Sequence, residues 1–278
     1  MGKNNSITSV NIVVSHNDSD HTDGVNELLI WLYYSEKYTV SVYTHQYLKH
    51  VDTILDKIDD GRRTRESLKK ALLAEFDNIK TIIETAEALG FSAIEALRGI
   101  TVGTCTIVGP TIDEFTDVAA TAVDSRVGNS IGEGHAEETV MNAASVQLKC
   151  ELDGNETALL CGDASPTYLK DLDKYDVIQL PHHGQLADAE AAFDALGNAG
   201  SKTFLISDNT GSGATSGGSD DLMQSDASKG KRIKNTNKEI VELPEESLYG
   251  GGWSKTQSGI IRPATPKTGG YGASYGIL

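Results

Sequence analysis

The segment Val10-Asn11-Ile12-Val13-Val14 is short and largely β-branched, and it breaks directly into the polar string Ser15-His16-Asn17-Asp18-Ser19-Asp20. Such a run reads as a buried strand that empties into a loop. Beyond Gly24 the apolar residues Val25, Leu28, Leu29 and Leu32 recur at helical spacing, and a second strand is predicted over 38–43. A strand, loop, helix and strand in this order belong to a layered α/β fold. In such folds ligands gather on the loops leaving strand ends, where a rigid sheet positions an exposed backbone.

Further along, Leu68, Leu72, Phe76, Ile79, Ile83 and Ala86 keep a helical stripe, so one long amphipathic helix is predicted over 63–89, stopped by Gly90. It serves either as packing on the core or as a lid. A strand follows over 101–108. Val146, Leu148, Cys150 and Leu152 then alternate, turn at Asp153-Gly154-Asn155 and return over 157–161, which predicts a hairpin with one buried face. A polar helix is expected over 166–174, strands over 177–180 and 203–206, and an Ala-rich helix over 187–196. Between 209 and 238 the only large apolar residues are Leu222, Met223 and Ile233, which reads as a linker, and the Gly-rich stretch from 249 has no assignable fold. The expected organisation is one domain over 1–208, with a helical insertion at about 51–98, and a flexible linker and tail over 209–278.

Charge excludes some functions. With 24 Lys+Arg against 40 Asp+Glu the formal charge is −16, which rules out a generally basic nucleic-acid coat or a polybasic membrane binder. A polyanionic substrate would need metal. Cys105, Cys150 and Cys161 form no CxxC pair, so neither a disulfide framework nor a thiolate zinc site is indicated, and a reduced, cytoplasmic chain is expected. The start lacks a basic-then-apolar signal, and the longest apolar run, Leu28 to Tyr34, is too short to cross a bilayer.

Three strings carry chemistry: His16-Asn17-Asp18-Ser19-Asp20-His21, Gly162-Asp163, and Pro181-His182-His183-Gly184. The first packs two imidazoles and two carboxylates into six positions, a density of metal donors that repel one another unless a cation intervenes. Singly each string has a bland reading. Asp20 or Asp23 could cap the following helix, Gly-Asp is nearly uninformative, and His-His-Gly is commonly a surface loop. All three in this order, each on a strand exit, favour a metal site.

With these strings, Ile107-Val108-Gly109-Pro110 and Asn142-Ala143-Ala144-Ser145 opening the hairpin, the chain resembles the metallo-β-lactamase superfamily over about 10–207. Within it the chain is similar to the branch that contains the C-terminal domain of the DNA-uptake channel protein ComEC. The resemblance implies an αββα sandwich with a binuclear centre of two divalent ions, Zn²⁺ or Mn²⁺, at one edge. His16 and Asp18 would face one ion, Asp20 and His21 the other, and Asp163 would bridge them. His183 would complete the second site, with His182 as neighbour or substitute. Asp20 and His182 would be the catalytic groups, Asp20 orienting a hydroxide held between the ions. The further His of the superfamily has no clean match: Asn142 stands in the corresponding motif, and His135 is a weaker candidate. The first position is then rich in oxygen donors, which leaves Mn²⁺ or another hard ion plausible.

Family members open with two or three further strands, whereas only nine residues precede Val10. Either the first sheet is short and exposes an edge strand that invites self-association or a partner chain, or the chain is a fragment. The implied function is a metal-dependent hydrolase, a phosphodiesterase or nuclease on a nucleotide-containing substrate. The alternatives are a lactam, lactone or thioester hydrolase at the same centre, or a non-catalytic binding protein with a degenerate site.

Overall fold

In the computed structural model, which describes residues 8–58, 63–128, 140–207, 219–235, 253–255 and 261–263, the chain is a mixed α/β protein. β1 (Ser9–Val13) leads through the short α1 (Ser19–Thr22) into α2 (Val25–Tyr34) and returns as β2 (Thr39–Thr44), parallel to β1. The helix forms where Leu29 and Leu32 share one face, and both are buried. The insertion contributes α3 (Val51–Ile58), α4 (Arg65–Glu75) and α5 (Asp77–Ala88) before β3 (Ser92–Glu95), which completes a three-stranded parallel sheet in the order β1-β2-β3. Among the described residues β1 pairs with β2 alone.

The single helix expected over 63–89 is two. The backbone leaves helical geometry at Phe76 (φ −106°, ψ 22°), whose buried ring stacks on Tyr47 with centroids 4.5 Å apart. The break shifts the phase of the stripe, so Ile82 rather than Ile83 takes the fully buried position.

β4 (Thr101–Val102) and β5 (Cys105–Gly109) form a hairpin where one strand was expected, because the chain turns at Gly103-Thr104. After α6 (Ile112–Gly128), β6 (Gln147–Glu151) and β7 (Thr157–Leu160) make the expected antiparallel hairpin. Its burial is not confined to one face: Val146 and Gln147 are both buried, since the sheet is covered on both sides, while Leu152 is exposed. The polar helix expected over 166–174 is two separate 3-10 turns, Pro166–Tyr168 and Leu172–Lys174, interrupted by Asp171 at φ 56°. β8 (Val177–Gln179), α7 (Leu186–Asp194) and β9 (Thr203–Ile206) follow the sequence reading.

The domain does not end at 208. α8 (Asp220–Gln224) buries Leu222, and β10 (Arg232–Asn235) pairs in parallel with β9. A segment nearly free of apolar residues still docks because Leu222, Met223 and Ile233 all reach the core. The second sheet thus has seven strands in the order β10-β9-β8-β7-β6-β5-β4, parallel from β10 to β7 and antiparallel from β7 to β4. β11 (Trp253–Lys255) and β12 (Ile261–Pro263) form a separate antiparallel pair.

The two sheets face each other through Val13, Tyr43 and Ile94 of the first and Val102, Ile107 and Leu148 of the second. The outer face of the first sheet, at Val40 and Val42, packs against Leu29, Leu72, Phe76 and Phe115 of the helices. The outer face of the second, at Leu159, Ile178 and Phe204, packs against Ala192, Phe193 and Leu222.

Cys105 and Cys150 form a disulfide, contrary to the expectation of three unpaired thiols. They lie 45 residues apart, but the β5-β6 register sets them directly opposite each other. The cysteine argument for a reduced, cytoplasmic chain therefore falls away. Cys161 is free and buried. No helix among the described residues is long and apolar enough to cross a membrane.

Candidate metal centre

Strands β7, β8 and β9 run parallel, so their C-terminal exits share one edge of the second sheet. Those exits carry Asp163, the Pro181–Gly184 turn and Ser207. β6 runs the other way and delivers Ser145 to the same edge from its N-terminal side. The exit of β1 meets them there: the Val146 N–H donates to the Ser15 carbonyl at 2.9 Å.

Two glycines make the convergence possible. Gly162 has φ +54°, and a Cβ on it would stand 3.0 Å from the Ser15 Cβ. Gly184 has φ +81°, and its Cβ would stand 3.1 Å from Ile206. His182 and His183 before it are also left-handed, at φ 51° and 56°. Two consecutive non-glycine residues in this region cost roughly 1–2 kcal/mol each, and such strain persists where surrounding contacts impose it. Here the His183 Nδ1–H donates to the Ser207 carbonyl at 2.6 Å, which fixes the ring.

The donors of Asp20, His21, Asp163 and His183 all lie within 4.8 Å of one another. Asp163 Oδ2 stands 3.2 Å from His21 Nε2 and 3.6 Å from His183 Nε2, and Asp20 Oδ2 stands 3.5 Å and 3.0 Å from the same two nitrogens. A tetrahedral ion with bonds of about 2.0–2.1 Å has ligand-to-ligand edges of about 3.3 Å, so these spacings fit one cation. His16 stands beside His21, with ring centroids 4.1 Å apart. Its Nε2 is 3.9 Å from Asp163 Oδ2 and 4.0 Å from Asp18 Oδ2, a wider set that shares the same carboxylate.

The imidazoles are oriented from behind. Ser145 Oγ–H donates to the Asn142 carbonyl at 2.8 Å, so at 3.0 Å from His16 Nδ1 it can only accept, which places the His16 proton on Nδ1. Ser15 Oγ lies 3.1 Å from Nδ1 of His16 and 3.3 Å from Nδ1 of His21. The Nε2 atoms of His16 and His21 are consequently turned inward, buried, and meet no aligned hydrogen-bond partner among the described residues. Orphaned inward nitrogens of this kind are costly unless something coordinates them.

The electrostatics agree. Burial, then the neighbouring His21, pushes His16 down to about 3, so it is neutral and able to ligate. The hydrogen bond with Asp20 raises His183 to about 9 and holds Asp20 down at about 2. Burial works to raise Asp163, yet His21 and the other two rings outweigh it and keep the carboxyl ionised. Behind the site, His45 is driven to about 4 by burial, and its Nε2–H donates to the Ala144 carbonyl at 2.7 Å.

The structure therefore brings together His16, Asp18, Asp20, His21, Asp163 and His183. His182 is not among the four grouped donors; its Nδ1 is 3.5 Å from Asp188 Oδ2. The capping reading of Asp20 does not hold, because its carboxylate binds His183. Asn142 offers its carbonyl to Ser145, and His135 lies outside the described residues. Nothing in the sequence marks Ser15, Asn17, Ser145 or the Ser207 carbonyl for these roles. Hydroxyls and carbonyls that orient ligands have no compositional signature. No family model, curated protein or solved structure matches the chain.

Proposed function

We propose that the chain is a metal-dependent hydrolase with the αββα layering of the metallo-β-lactamase superfamily, acting on phosphodiesters of nucleotide-containing substrates. One observation carries the reading: three histidines, two from the β1 exit and one from the β8 exit, turn Nε2 toward one buried carboxylate, Asp163, each with Nδ1 beside a fixed oxygen. Asp20, His21 and His183 would hold one ion with Asp163, a nitrogen and oxygen set suited to Zn²⁺ or Mn²⁺. His16 and Asp18 would hold a second with the same carboxylate, and its oxygen-rich donors favour Mn²⁺. When bound, the pair supplies Lewis acidity and a nucleophilic water at neutral pH. The chain's part is to position and to screen. Ser15, Ser145 and the Ser207 carbonyl fix the rings, and Asp163 and His16, both buried, keep bulk water from the inner side.

A phosphodiester is favoured because in-line displacement demands little beyond positioning and cation charge, and cations offset the repulsion between an anionic substrate and a chain of charge −16. After reconstitution with Mn²⁺ or Zn²⁺, the protein should hold two equivalents and hydrolyse bis-p-nitrophenyl phosphate. Asp163→Asn and His21→Ala should each lower that activity by about 100-fold or more. A chromogenic β-lactam tested alongside discriminates the lactam-cleaving reading. Absence of bound metal after reconstitution would overturn the proposal and favour a binding protein.

A further inference from the structure

The helical insertion is hydrogen-bonded to the ligand loop through the start of α5. The Ile79 N–H, in the first turn of α5, donates to Asn17 Oδ1 at 3.0 Å, and Asn78 Nδ2–H donates back to the Asn17 carbonyl at 2.9 Å. The first amides of a helix have no partner inside it, and Phe76, which precedes α5, provides no side-chain cap. Asn17 performs that role from 62 residues away. The break at Phe76 is what frees this N-terminus; a continuous helix over 63–89 would have bonded Ile79 to its own preceding turn.

Asn17 sits between His16 and Asp18, the two side chains that face the oxygen-rich half of the centre. Its side chain and carbonyl are both tied to α5, so the backbone through 16–18 is fixed from outside the loop. α5 is itself anchored in the core by Ile79, Ile82 and Ala86. We infer that Asn17 is a positioning residue that caps α5 and thereby holds His16 and Asp18 in place for the first cation, coupling the insertion to that half of the site. The inference rests on the metal reading above.

The test has one readout that needs no metal. In the metal-free protein, amide hydrogen exchange at Ile79 should be slow, faster by about tenfold in Asn17→Ala, and slow again in Asn17→Asp, whose carboxylate can accept the same bond. In a Mn²⁺ titration, Asn17→Ala should weaken one of the two equivalents by about tenfold or more and leave the other as in the wild type. Asn78→Ala, which removes the bond to the Asn17 carbonyl and leaves the Ile79 cap in place, should weaken the same equivalent, and it serves as the test if Asn17→Ala does not fold. Unchanged Ile79 exchange in Asn17→Ala removes the cap and with it the inference, leaving the metal reading intact. Loss of protection with both equivalents bound as in the wild type removes the positioning role alone. A wild type that takes up no metal removes both readings.

Discussion

His183 is held by two oxygens of different character. The Ser207 carbonyl can only accept, so it fixes the proton on Nδ1, while the Asp20 carboxylate at 3.0 Å favours a second proton on Nε2. In the metal-free protein that proton makes the ring a cation. The pair stabilises the fold fully between the ordinary carboxylate and imidazole ranges. Its His183 share is lost as pH rises through about 9, and its Asp20 share as pH falls through about 2. A cation bound as proposed would have to displace the same proton. Metal affinity should therefore rise with pH, by about tenfold per unit below about 9, and binding at pH 7 should release about one proton from His183. Titration calorimetry in buffers of different ionisation enthalpy measures this directly. A heat of binding independent of the buffer would show that His183 is not the group displaced.

The β5-β6 pairing carries the one covalent link between strands, Cys105 to Cys150, closing a stretch of 45 residues that includes α6. A loop of that size restricts the unfolded chain by about 3–4 kcal/mol in the chain-entropy account. Replacing both cysteines by serine should lower unfolding free energy by about that much. Urea melts of the oxidised protein and the double variant give the comparison; equal midpoints would show that the bond constrains nothing. This link was not legible because a disulfide joins residues by register, and register is set by pairing partners distant in sequence. The strands themselves were legible: Val10 to Val14, Val177 to Leu180 and Thr203 to Ile206 are short apolar runs bounded by polar loops. Helices read less well. Phe76 fits the stripe on both sides of its break, so periodicity passed over a kink that comes from its ring seating against Tyr47.

At the scale of the molecule, the six candidate ligands converge because the segments that follow β1, β7 and β8 meet at one edge, and the order of the three strings along the chain pointed to that convergence. Their orientation was not legible, since it depends on serine hydroxyls and a carbonyl brought in by tertiary contact. The same limit explains the boundary at 208. Leu222 and Ile233 looked isolated in a polar segment, yet Leu222 is fully buried and β10 forms the edge of the second sheet beside β9. The next residue after β9 is Ser207, whose carbonyl fixes His183. A chain ending at 208 would leave β9 as the edge, remove a buried leucine worth roughly 1.5–3 kcal/mol, and free the Ser207 backbone. A chain ending at 235 would keep β10 in register with β9. The shorter form should therefore melt several degrees lower and bind the Asp20, His21 and His183 cation more weakly, while the longer form keeps both properties. Thermal unfolding with and without Mn²⁺ separates the two forms. Equal melting and equal metal uptake would mean that β10 contributes nothing to the edge that carries the candidate site.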